Sequence, residues 1–145
     1  MSMTSAPSSE AVTIPATASE PVTILLAEDD LEMRRFIAAT LRRAHYAVVE
    51  AADGMELLDR IEAAVQRGLR YAAVVSDVRM PLLSGMDVLA ILRAAATDVP
   101  VILITAFGDA ATHAEAHDLG VVGILDKPFD VSALTALVAS IVGER

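Results

Sequence analysis

Five polar side chains stand where short apolar runs end, and together they are the parts needed to hold a divalent cation beside a phosphoryl group. Glu28 and Asp29 follow the run Val22-Thr-Ile-Leu-Leu-Ala27, and Asp77 follows Tyr71-Ala-Ala-Val-Val-Ser76. Thr105 follows Pro100-Val-Ile-Leu-Ile104, and Lys127-Pro128 follows Val121-Val-Gly-Ile-Leu-Asp126. Carboxylates suit a hard cation, while a hydroxyl and an ammonium can meet phosphoryl oxygens. If the runs are parallel strands, all five side chains converge at one carboxyl edge, where open α/β sheets bind ligands. This combination predicts phosphoryl transfer onto the protein itself.

Positioning them requires a sheet with crossover helices. Strand-like runs alternate with helical patterns at a spacing of about 25 residues, the signature of repeated βαβ units. After Asp30, Met33, Phe36, Ile37, Thr40, Leu41 and Ala44 follow the helical period and leave Arg34, Arg35, Arg42 and Arg43 mostly outside. A second helix is expected from Asp53, with Glu56 at the reciprocal capping position and Leu57, Leu58, Ile61, Ala64 and Val65 inward. A third starts near Ser84 and turns Val88, Leu89, Ile91, Leu92 and Ala95 to the core; the last follows Asp130 and buries Leu134, Leu137, Val138 and Ile141. The fourth, about Asp109 to Leu119, has alanines for propensity but little apolar area, so it should be the most mobile. Five strands and five helices with right-handed crossovers make an α/β fold, a three-layer α/β/α sandwich.

Composition narrows the partners. A formal charge of −9 without a clustered basic face argues against nucleic acid. Cysteine is absent, which excludes disulfides and thiolate metal sites. No run of about 18 uncharged apolar residues predicts a membrane span, and the N-terminus lacks the pattern of a signal peptide, so a cytoplasmic protein is expected. Residues 1–21 are rich in Ser, Thr, Ala and Pro and read as a flexible tail, with the folded domain at 22–145.

From Val22 to Val142 the chain resembles a bacterial two-component response-regulator receiver domain. The pieces that carry the resemblance are Leu25-Leu-Ala-Glu-Asp-Asp30, Ser76-Asp-Val-Arg-Met-Pro81 with Gly85 four positions later, Ile104-Thr-Ala-Phe107, and Asp126-Lys-Pro-Phe129. Each is short, but their order and spacing together are specific. The resemblance implies a flavodoxin-like five-stranded parallel sheet of order 2-1-3-4-5. It also implies a cis bond before Pro128.

A carboxylate attacks phosphorus poorly unless its charge and that of the incoming group are compensated, which calls for a cation such as Mg²⁺. Asp77 is then the expected nucleophile and phosphoacceptor, forming an aspartyl phosphate. Aligned without a gap, the family's acidic pair becomes Glu28 and Asp29, and Asp30 is left to begin the helix. The resemblance then implies that Asp29, Asp77 and the backbone carbonyl of Arg79 bind the ion, with Glu28 acting through a coordinated water. Thr105, Ala106 and Lys127 are the expected phosphoryl-binding and switch residues. Gly85 more simply serves a turn and close packing.

Many members of the family carry Tyr or Phe three residues before the lysine, where this chain has Ile124, a departure from the aromatic half of the usual signal relay. Arg79 and Phe107 flank the path of an attacking water and are expected modulators of phosphoryl lifetime. His113 and His117 are four apart on the weak helix and read as a solvated face, and His45 as a turn residue. The expected function is a stand-alone receiver, not an enzyme beyond its own phosphotransfer and dephosphorylation. Its expected partners are a histidine kinase or histidine phosphotransfer protein and a downstream protein, with a homodimer on phosphorylation left open. Two alternatives are a phosphorylation-independent adaptor and an Mg²⁺-dependent phosphohydrolase. The second is disfavoured because Arg79 stands where such enzymes carry a second Asp.

Overall fold

The computed structural model describes residues 22–106 and 108–143. The expected tail over 1–21 and the expected modulator Phe107 lie outside the described residues. Five strands and five helices alternate: β1 (Thr23–Ala27), α1 (Leu31–Arg43), β2 (Ala47–Ala51), α2 (Gly54–Gln66), β3 (Ala73–Asp77), α3 (Gly85–Ala94), β4 (Val101–Thr105), α4 (Ala110–Asp118), β5 (Gly123–Asp126) and α5 (Val131–Val142). The sheet is entirely parallel, in the order β2-β1-β3-β4-β5. The reversal of order at β1 leaves a crevice beyond the carboxyl ends of β1 and β3.

Strand residues alternate between two cores because successive side chains point to opposite faces. Leu25, Ala27, Val74, Val101 and Leu103 meet Leu57, Ile61, Val88, Leu89 and Leu92 on one face. Ile24, Leu26, Val75, Ile102 and Ile104 meet Ile37, Leu41, Leu134 and Val138 on the other. Both faces are covered, so the central strands read as unbroken apolar runs rather than alternating ones.

The helices begin at the expected acids and hydroxyl, with two refinements. Asp30 accepts from the backbone N–H groups of Glu32 and Met33 at 3.0 and 3.2 Å. Asp53 accepts from Glu56 N at 2.8 Å, but the Glu56 carboxylate turns to Ala52 N, also at 2.8 Å, one residue before the expected partner. The reciprocal box forms instead at α3, where Ser84 Oγ accepts from Asp87 N and Asp87 accepts from Ser84 N.

Several expected inward residues lie outside. Phe36, Val65 and Ile91 are exposed at 51, 62 and 40 % of their surface. Ala95 is exposed as well. Each lies at the margin of a helical stripe wider than the sheet can cover, so the covered stripe is narrower than the apolar one. Arg34 makes the opposite departure and lies largely inside, with 15 % of its side chain exposed. Its guanidinium finds acceptors there, donating to Glu28 O at 2.9 Å and Glu50 Oε1 at 3.1 Å.

Candidate functional site

Asp77 ends β3 and Glu28 follows β1, so the adjacent strands carry both carboxylates to the same crevice. Both are buried. Glu28, Asp29 and Asp77 each offer a carboxylate oxygen, and these oxygens lie within 4.8 Å of one another. Hard oxygen donors at that spacing fit a small divalent cation, which would replace like-charge repulsion with attraction. Asp30 is not part of the trio, since its carboxylate caps α1. Of the three neighbouring acids, Asp30 is thus the one engaged at the start of α1, while Glu28 and Asp29 lie beside Asp77.

Local bonds fix the acids' aim. Glu28 N donates to Ala51 O at 3.1 Å, tying the end of β1 to the end of β2. Asp30 N donates to Glu28 Oε2 at 3.1 Å, and Arg79 N donates to Asp77 Oδ1 at 3.2 Å. Gly85 N donates to Val78 O at 2.8 Å. A β-carbon at Gly85 would overlap the carbonyl of Asp77, so glycine lets α3 begin directly against the strand end that carries the acid.

Lys127 crosses from β5 to the acids. Its Nζ donates to Asp77 Oδ2 at 2.9 Å and to Glu28 Oε1 at 3.4 Å. The Lys127–Pro128 bond is cis, as the resemblance implied. Burial works against the lysine's charge, yet the Asp77 and Glu28 carboxylates override it and hold the ammonium above its ordinary pKa. Glu28 moves the other way for an acid: burial first, and the charge of Asp77 second among the raising causes, push its carboxyl up to about 7. The Asp30 N–H and the Lys127 ammonium oppose that rise without cancelling it.

Thr105 closes β4, is 1 % exposed, and stands between the lines of β3 and β5. Ala106 follows it at the surface, Arg79 is exposed, and Ile124 is half-buried in β5 against the core shared with Leu103. Apart from Ile124, which pairs with Leu103 in mid-strand, the described candidates gather at one end of the sheet. A groove of about 820 Å³ lies at the opposite end, lined by Val22, Arg60, Arg67 and Tyr71 among others, and takes in none of them.

The sequence profile described as "Response regulator receiver domain" matches residues 24–139. The chain belongs to that family. Transcriptional regulatory protein FixJ of Bradyrhizobium diazoefficiens is 36 % identical to this receiver over 117 residues, covering 81 % of this chain and 55 % of that protein. Response regulator MprA of Mycobacterium sp. strain KMS is 36 % identical over 116 residues, covering 80 % and 48 %. The receiver thus spans about half the length of the curated relatives it matches. Among solved structures, the Francisella response regulator 1452 receiver domain superposes with a TM-score of 0.75 at 28 % identity, covering 85 % of this chain and 97 % of that one. Chemotaxis protein CheY4 of Vibrio cholerae gives 0.74 at 27 %, covering 84 % and 99 %.

Two contacts around this site escaped the sequence reading. Arg34 holds the Glu28 carbonyl from below, and His113 Nε2 lies 3.0 Å from Asp126 Oδ1 beside Lys127. Arg34 sits four residues after Asp30, one turn into α1, which is the signal that could have marked it. His113 gave none, because its partner is 13 residues away on another element.

Proposed function

We propose that this receiver takes a phosphoryl group from the phosphohistidine of a histidine kinase or histidine phosphotransfer protein onto Asp77, and that the modified form presents an altered surface to a downstream protein. The observation that carries the reading is the Lys127 ammonium held between Asp77 and Glu28, with Asp29 completing a trio of acids. Asp29, Asp77 and the Arg79 carbonyl would hold Mg²⁺, and Glu28 would act through a coordinated water. When bound, the ion neutralises oxygens that carry charge during transfer.

In the step itself, an Asp77 carboxylate oxygen forms a bond to phosphorus while the phosphorus–nitrogen bond of the donor breaks, and the leaving imidazole nitrogen keeps the electron pair. Lys127 exchanges its contact with Asp77 Oδ2 for the phosphoryl oxygens, so its charge is neutralised before and after transfer. Thr105 supplies a hydroxyl and Ala106 a backbone N–H for the other oxygens. Burial of Asp77 limits access by bulk water. A cytoplasmic setting fits such a donor, and no described helix is long and apolar enough to cross a membrane.

Acetyl phosphate with Mg²⁺ tests the assignment. Wild type should be phosphorylated at one site, and Asp77→Asn, which keeps the shape but removes the anionic nucleophile, should remain unmodified by intact-mass measurement. Stoichiometric phosphorylation of Asp77→Asn would refute the assignment.

A further inference from the structure

We propose that His113 is a positioning residue for phosphoryl transfer at Asp77. Its side-chain contact with Asp126 latches the N-terminal half of α4, together with Gly108, to the end of β5 in the resting protein, and the latch loosens as Thr105 engages the phosphoryl group. The proposal rests on the function proposed above and names a regulator of that site.

The apolar hold on α4 is slight. Of Ala110–Asp118 only Ala116 is buried. The C-terminal end of the helix is tied down by Arg93, whose guanidinium donates to Leu119 O at 2.9 Å and Gly120 O at 3.2 Å. A polar side-chain contact joins the N-terminal half to the sheet, His113 Nε2 with Asp126 Oδ1 at 3.0 Å. A helix with one buried side chain has a shallow minimum, so one polar contact can decide where its free end rests.

The anchor of the latch lies on the rung that matters. Asp126 is paired in register with Thr105, and Lys127 N donates to Thr105 O at 2.7 Å. Both residues assigned to the phosphoryl oxygens therefore flank the anchor. Gly108 supplies a second, independent observation. A β-carbon there would overlap the Asp126 carboxylate and lie 2.9 Å from His113 Nε2, so Gly108 lies directly against the pair. Because Thr105 shares a rung with Asp126, a displacement of Thr105 toward Asp77 pulls on the strand end that holds Asp126 and strains the pair. The side chain of Ile124, two residues before Asp126, has no hydrogen-bonding group that could carry this link.

The pair is partly solvated, with 30 % of His113 and 54 % of Asp126 side chains exposed, so its loss should shift an equilibrium a few-fold and leave the fold intact. In the full chain without Mg²⁺, His113→Ala should speed hydrogen exchange over residues 110–119. With Mg²⁺, it should tighten beryllofluoride binding by about threefold while Mg²⁺ affinity itself stays unchanged. His113→Gln, which keeps a donor, should fall nearer wild type, and Gly108→Ala should act like His113→Ala by displacing the carboxylate. His113→Ala combined with Asp126→Asn should go no further than either alone. Unchanged exchange in His113→Ala would overturn the latch, as would faster exchange with beryllofluoride affinity unchanged or weaker. Failure of the wild type to bind beryllofluoride would instead sink the receiver reading, and the regulatory claim with it.

Discussion

Among the three adjacent acids at the end of β1, Asp30 is set apart by the backbone groups it reaches, because its carboxylate caps α1. Asp29→Ala should weaken Mg²⁺ affinity most and Glu28→Ala less, as measured by calorimetry. Asp30→Ala should leave affinity near wild type and cost about 1 kcal/mol of stability, because it removes acceptors for the Glu32 and Met33 N–H groups. Asp30 emerging as the strongest metal determinant would mean that the acidic pair is shifted by one. Glu28 also makes a pH dependence. Its carboxyl is pushed from 4.5 to about 7 in the folded, metal-free protein, so the neutral form is favoured there. The associated stability is fully present below pH 4.5 and is lost as pH rises through about 7. A cation favours the ionised form, so Mg²⁺ affinity should rise with pH through that value and level off above it. Calorimetry near pH 6.5 in buffers of different ionisation enthalpy should detect proton release on binding; a flat profile from pH 6 to 8 would contradict the raised carboxyl.

At the scale of elements, caps and sheet cover decide more than periodicity does. Leu89 and Ile91 both belong to the apolar pattern of α3, yet Leu89 is 1 % exposed and Ile91 40 %. Leu89→Ala should therefore cost about 2–5 kcal/mol in urea unfolding. Ile91→Ala should cost less than about 1 kcal/mol, since little surface leaves water there. Equal losses would mean that α3 is rotated from the position described. The helical period marks which residues share a face, but the width of that face actually covered depends on where the sheet and neighbouring helices end. Phe36 illustrates the difference: it borders a surface groove with Met33, Pro128 and Phe129 instead of joining Ile37 and Leu41 in the core.

For the whole molecule, one sheet with a core on each face should unfold as a unit. Leu89→Ala on one face and Leu134→Ala on the other should each lower a single shared transition, and the double variant should add within about 0.5 kcal/mol. Two separate transitions would contradict that unity. The gathering of the candidate residues was legible in the sequence because each strand is a short apolar run followed by its polar residue, so Glu28, Asp77, Thr105 and Lys127 could be placed at one edge once the strands were parallel. The helix starts at Asp30, Asp53 and Ser84 were legible for a similar reason: capping is local, and donor and acceptor lie within three residues. What only the tertiary structure decided are contacts between residues far apart in the chain. The Lys127 bridge to Glu28 spans 99 residues, Arg34 meets Glu50 across the sheet edge, and His113 meets Asp126 across a loop. Periodicity carries no information about such pairs, because the distance between them is set by strand order and helix packing rather than by anything local to either residue.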